Sequence, residues 1–319
     1  MQDLKFTDAQ RDRYLGKIAT LRDYHDMAGG IPKFVIKPLI DDFRKGFFEF
    51  MPFLRFSICL TGEFHRIVIN SAVQPDGSNS RLINYSQIKY PPLSLADKIP
   101  MNRASLHGQS IFYAGSGNFV ATLETKFKKG DLYTHSTWKQ KTGTEITYIP
   151  IFHSDEILSR TDHFDADWLA YANFLKTLDK NVAEVVRQMY KFLATIFSCK
   201  LDQSNKQSYL ICALMADLLL NDPHNGCDCL YYPSVASDLA STSIALKPEV
   251  LDSKFELVAL SESFCIKAPD DFGNGWLSHR TAQGINLIHL AKEITWSNQE
   301  LGNPHWNIPE MMKEYNAHI

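Results

Sequence analysis

The absences in this sequence narrow it first. No stretch approaches the ~18 consecutive apolar residues of a membrane span. The nearest candidate, residues 209–220, carries Asp217 and reads as a buried helix. The first residues are charged and lack the apolar core of a secretory signal, so the expected location is the cytoplasm. A formal charge of −3 gives no basic footprint for nucleic acid or an anionic membrane. Lys126, Lys128 and Lys129 form a local cluster that reads as a solvated helix end.

Missing motifs exclude further classes. There is no Gly-rich dinucleotide fingerprint and no P-loop; Gly115-Ser116-Gly117 lacks the remaining glycine and the acidic partner. No Gly-x-Ser-x-Gly elbow occurs, and no histidine pair has the helical spacing of a metallohydrolase. Six cysteines, at 59, 199, 212, 227, 229 and 265, are scattered and fit reduced thiols better than a disulfide framework. Cys227 and Cys229 have no second Cys/His pair at metal-site spacing, so they read as buried thiols and no metal is expected.

What is present is a chain of 319 residues, 45% apolar and 22% charged, long enough for a sizeable core. Residues 8–27 read as a charged, exposed helix capped by Thr7 or Asp8, and residues 33–50 as a second helix, together an N-terminal extension over 1–50. Strand-like text follows at 53–58, 110–114, 145–153, 227–232 and 255–267. The segment 70–100 is rich in loop residues. Ser116 or Asn118 can cap a helix reaching about residue 129, and the helical stretch of about 164–221 includes periodic text at 168–198 and 207–221. Strands and helices without regular β-α-β alternation predict an α+β fold. The main domain is placed at 51–270. The C-terminal segment 271–319, with Trp276, Trp296 and Trp306, is too aromatic for a linker and is expected to pack on the core.

One constellation carries chemistry. Arg103 precedes a short strand, Tyr113 lies near its end ten positions on, and Glu124 sits in the next helix eleven positions further. A strand feeding a helix that packs back on it can bring the three to one cleft. At about 100° per residue, Phe119, Val120, Leu123 and Phe127 share a helix face. Glu124 is then expected on its flank, where lost water strengthens a carboxylate's field.

With Arg103, Gly108, Tyr113, Ala121 and Glu124 in register, the segment resembles the first half of the RES domain, a family named for its Arg, Glu and Ser. The run from Gly226 through Tyr231-Tyr232-Pro233 to Ser234, followed by Ser243-Ile244-Ala245-Leu246, resembles the second half. Leu54-Arg55-Phe56 is similar to the family's opening strand. The likeness spans about residues 52–262. Asn102, Ser105, Leu106 and Ser243 depart from the family's usual glycine, asparagine, proline and asparagine, which alters the loop around Arg103.

The resemblance implies an ADP-ribosyltransferase-like mixed β core with surrounding helices, and cleavage of the nicotinamide–ribose bond of NAD⁺ by water or phosphate. It also implies a toxin or defence-type effector, with a helix-turn-helix antitoxin as a partner class. NAD⁺ is then a substrate, and no cofactor is called for. Arg103 and Arg55 suit the pyrophosphate through forked hydrogen bonds, and Tyr113 suits the pyridinium through its aromatic face. Glu124 suits the cationic sugar of the transition state, and Ser234 the phosphate or ribose. His107 reads as an exposed loop histidine. Two other readings stay open: transfer of ADP-ribose to a macromolecule, and a non-catalytic nucleotide- or partner-binding module. The extension and the helical stretch are open to homo-oligomer formation, partner binding or gating.

Overall fold

The computed structural model describes residues 4–26, 53–58, 62–152, 165–200, 209–222, 226–268, 277–285 and 292–297, with a few isolated positions besides. Ten strands are described: β1 (Phe56–Ile58), β2 (Glu63–Ile69), β3 (Phe112–Gly115), β4 (Leu132–Gln140), β5 (Ile146–Pro150), β6 (Cys229–Pro233), β7 (Thr242–Leu246), β8 (Phe255–Lys267), β9 (Leu277–Ile285) and β10 (Thr295–Ser297). The helices longer than one or two turns are α1 (Asp8–Asp26), α2 (Asn118–Thr125), α3 (Asp165–Thr177), α4 (Lys180–Ser198), α5 (Leu210–Asn221) and the short α6 (Pro248–Lys254). Helices and mostly antiparallel strand pairs make the fold α+β, as expected.

The chain forms two compact units interleaved along the sequence. One takes Met1–Thr61, Tyr90–Ser116 and Gln140–Phe255; the other takes Gly62–Lys89, Gly117–Lys139 and Glu256–Ile319. In the first unit the strand order is β1-β5-β6-β7-β3. Only β5 and β6 run parallel there, with Tyr148 opposite Cys229. A parallel pair needs a long crossover, and the chain between these strands supplies α3, α4 and α5. The helical stretch is thus the crossover of the sheet itself.

α4 forms because Asp179 caps it, its Oδ1 accepting from the amides of Asn181 and Val182 at 3.0 and 3.4 Å. Val182, Val185, Val186, Met189, Leu193 and Ile196 then recur at helical spacing and are all buried. α5 is apolar nearly all round and correspondingly buried on most sides. Its link to β6 turns at Gly226, whose amide donates to the Asp222 carbonyl at 2.7 Å. A Cβ there would lie 2.5 Å from that oxygen and 2.7 Å from the Leu220 carbonyl oxygen, so only glycine fits without moving backbone.

α1 corrects one expectation. It is not simply an exposed helix: Tyr14, Ile18, Leu21 and His25, spaced four, three and four apart, form a narrow buried stripe. Phe6, Tyr14, Ile18 and Leu21 join the same apolar core as α4 and α5. Asn181 at the start of α4 ties down the approach to α1, donating to the Phe6 carbonyl at 2.8 Å. The second expected helix, 33–50, lies outside the described residues apart from isolated positions.

In the second unit the order is β2-β4-β8-β9-β10. α2 lies against β2: Ala121, Ile67, Phe127, Tyr133 and Cys265 form one small cluster, and the Thr125 hydroxyl reaches the Ile67 carbonyl at 3.4 Å. The described parts of the C-terminal segment go further than packing, because β9 and β10 extend the sheet by antiparallel pairing. The Trp296 indole donates to the Leu82 carbonyl at 2.8 Å. Trp276 and Trp306 lie outside the described residues.

Candidate functional site

The loop before β3 is built by short-range bonds. Asn102 and Ser105 exchange backbone hydrogen bonds at 2.9 and 3.3 Å, and Gly108, at φ +82°, donates to the Ile99 carbonyl at 3.1 Å. From this loop the half-buried Arg103 reaches the C-terminal end of α4, where it donates to the carbonyls of Ile196 at 2.9 Å and Cys199 at 3.0 Å. A helix C-terminus has unpaired carbonyls and a partial negative charge, so a guanidinium is a natural cap. Tyr209, immediately before α5, puts its ring 5.8 Å from the guanidinium carbon, within cation–π range. Among the described residues no carboxylate forms a salt bridge with Arg103. Its positive charge is met, among the described residues, by the two carbonyls, the Tyr209 ring and the neighbouring thiols of Cys199 and Cys212.

Tyr113 on β3 closes the loop from the other side. Its hydroxyl donates to Ser105 Oγ at 2.9 Å and accepts from the Ala104 amide at 3.1 Å. Burial pushes the phenol well above its ordinary range; the two hydrogen bonds and the charge of Arg103 pull the other way. The ring therefore stays a neutral phenol.

Strand pairing explains where Ser234 lies. Tyr113 stands opposite Ala245, which stands opposite Leu230; Gly115 stands opposite Ser243, which stands opposite Tyr232. Paired residues share a sheet face and so do alternate residues along a strand, so Tyr113 and Tyr232 lie on the face that α4 and α5 cover. Ser234 follows Tyr232 by two with its backbone still extended, at φ −77° and ψ 117°, and its amide continues the ladder to the Ser241 carbonyl at 2.7 Å. It is fully buried on that same face. The structure thus brings Arg103, Tyr113 and Ser234 to one face of the first unit.

Glu124 and Arg55 are placed differently. Glu124 belongs to the second unit and is exposed, not half-buried on the flank as expected. The reason is the face of α2. Val120, Ala121 and Thr122 are buried while Phe119 is 53% exposed, and Lys126 turns left-handed at φ 52° and ends the helix at Thr125. Phe127 therefore reaches the core from outside the helix, and the face counted through Phe119 and Leu123 is not the buried one. The helix stops short of residue 129. Neither Ser116 nor Asn118 caps it; Gly117 is the N-cap and no side chain bonds there. Arg55 is exposed just before β1. His107 is exposed, and Cys227 and Cys229 are buried, as expected.

Several neighbours of Arg103 escaped the sequence. His25, at the end of α1, places Nε2 3.4 Å from Cys199 Sγ. Burial and the charge of Arg103 hold that imidazole below its ordinary value, against Asp26. Burial also raises the thiols of Cys199 and Cys212, with Arg103 opposing. Both stay protonated and are poor nucleophiles. Only Ser105 and Tyr209 had a legible signal, one lying in the Arg103 loop and the other opening an apolar helix. Among the described residues no group of three or more His, Cys, Asp or Glu could hold a metal ion, and no helix is long and apolar enough to cross a membrane. No protein-family model matches the chain, and no curated protein matches it.

Proposed function

We propose that this protein cleaves the nicotinamide–ribose bond of NAD⁺, as an ADP-ribosyltransferase-like enzyme of the toxin or defence type. The observation that carries the reading is Arg103: a preorganised guanidinium with no carboxylate partner among the described residues, set among aromatic rings. Such a group suits a pyrophosphate, since a guanidinium is a permanent positive charge with N–H donors in a planar fork, two of which are held here by the Ile196 and Cys199 carbonyls. Tyr113, held neutral and fixed by two hydrogen bonds, offers a ring to the pyridinium. Ser234 offers a hydroxyl to phosphate or ribose.

In the reaction the glycosidic C–N bond breaks, its electron pair leaves with nicotinamide, and C1′ becomes cationic. Glu124 is assigned to that cation, which a carboxylate stabilises more than it does the ground state. Water or phosphate then adds to C1′ and gives up a proton, yielding ADP-ribose or its 1″-phosphate. Arg55 is assigned a second contact with the dinucleotide phosphates.

Incubation of the purified chain with NAD⁺, with and without phosphate, and identification of the products tests this. Nicotinamide release is expected to fall about 10²–10³-fold in Arg103→Ala and in Glu124→Ala. Undiminished release in both variants overturns the residue assignments. Calorimetric binding of NAD⁺ with no release points to a nucleotide-binding module, and label transferred to a macromolecule points to a transferase.

A further inference from the structure

Asp217 is the only charged residue of α5, a helix whose other side chains are apolar or small apart from the terminal Asn221. A half-buried carboxylate on such a helix is costly unless it is hydrogen-bonded. Its Oδ1 accepts from two amides, Gln109 Nε2 at 2.5 Å and Asn221 Nδ2 at 2.9 Å. No cation forms a salt bridge with it among the described residues. A surface ion pair therefore does not explain it, whereas its bond to Gln109 does.

Gln109 closes the loop that carries Arg103. Its Oε1 accepts from the Leu106 backbone N–H at 2.8 Å, and its own backbone N–H donates to the Leu106 carbonyl at 3.1 Å. A carboxamide can present oxygen or nitrogen to either side, so something must decide its orientation. Here both partners decide it: the Leu106 N–H can only donate and takes the oxygen, and the Asp217 carboxylate can only accept and takes the nitrogen, which ties the loop to α5. The loop is then fixed at both ends, by Tyr113 through Ala104 and Ser105, and by α5 through Gln109. Arg103 stands one residue before the first of these anchors and reaches the end of α4.

We infer that Asp217 is a positioning residue for the anion site at Arg103, acting through the carboxamide of Gln109 on the 102–109 loop. As a role in catalysis, this rests on the proposed reaction; as a role in loop order, it does not. The test compares Asp217→Leu, Asp217→Asn, Gln109→Leu and the double leucine variant. It reads exchange of the Leu106 amide, NAD⁺ binding by calorimetry and nicotinamide release.

Asp217→Leu is expected to speed Leu106 exchange at least tenfold and to raise KM for NAD⁺ about tenfold with kcat within a factor of two or three. Asp217→Asn keeps an acceptor oxygen and is expected to remain within about threefold of the parent in all three. The double variant is expected to be no worse than Gln109→Leu alone, because one path is cut once. Equal behaviour of Asp217→Leu and Asp217→Asn overturns the inference. So does unchanged Leu106 exchange in a folded Asp217→Leu protein. Should Asp217→Leu not fold, Asp217→Ala takes its place, and Leu106 exchange there no faster than in Asp217→Asn overturns the inference equally. If the parent releases no nicotinamide, the proposed reaction fails while the exchange comparison still decides the positioning role.

Discussion

In the first unit the sheet lies under helices whose buried faces are almost wholly hydrocarbon, from Val182 to Phe197 on α4 and Leu210 to Leu220 on α5. In the second unit the strands are joined instead around a buried carboxylate. Glu262 on β8 is 1% exposed and accepts from Arg81 at 2.9 and 3.0 Å and from Thr281 on β9 at 2.7 Å. Its other oxygen faces Asn70 at 3.4 Å, and Asn70 in turn accepts from Thr134 on β4 at 2.8 Å. The apolar clusters of this unit are small by comparison. Packing that is non-directional tolerates changes of charge state, whereas a polar network stands or falls with each partner.

The comparison breaks most visibly in the apolar unit. Phe192→Ala is expected to cost about 3–5 kcal/mol by deleting a fully buried ring, read as a lower urea midpoint with faster amide exchange confined to the first unit. An equal loss of protection in both units ends the distinction. Arg81→Leu is expected to cost nearly as much, about 3 kcal/mol or more, because it strands a buried carboxylate. Glu262→Leu should cost less, since the released guanidinium is partly exposed and can reach water. The reverse order would mean that the network contributes shape rather than charge balance.

Acid sharpens the contrast further. His65 and His135, on neighbouring strands β2 and β4, face each other at 3.1 Å. Burial holds both imidazoles down, His135 to about 4 with His65 and Arg280 adding to the effect. The unfolded chain takes up these protons first, so the second unit keeps its full stability above about pH 6.5 and loses it as the pH falls toward 4. The first unit has one described imidazole held down, His25, and a shallower decline is expected there. Amide exchange of β4 and of α4 followed from pH 7 to 4.5 measures the difference, and parallel declines refute it. The smallest effect is a gain. Lys126→Gly relieves a left-handed residue at the end of α2 and should raise the stability of the second unit by about 0.5–1 kcal/mol in the same melts.

These differences also decide what could be read from the sequence. The long helices and β8 were legible because their apolar residues recur at fixed spacing; the expected strand 255–267 coincides with β8. β4 was not, since Thr134, Ser136 and Thr137 are buried beside Tyr133 and Trp138 and both faces mix hydroxyls with rings. Those hydroxyls are satisfied by groups far away in sequence, as Thr134 is by Asn70. The same limit applies at the candidate site. The Tyr113–Ser105 contact spans eight residues and lies within a recognisable block, but the carbonyls that hold Arg103 come from 93 and 96 residues further on. Local spacing also misplaced Glu124, because the face counted through Phe119 and Phe127 is not the buried one: Phe119 is exposed, and Phe127 lies past the left-handed Lys126 that ends the helix.

A growing chain makes β3 and β5 long before the β6–β7 hairpin that separates them in the finished sheet. β5 keeps an unmet margin of backbone amides and carbonyls until β6 emerges, and β3 keeps one until β7 does. The middle of that sheet is laid down last, like a keystone. A fragment ending anywhere before Thr242 retains two adhesive borders, and self-association of such fragments is the expected mark of arrested synthesis.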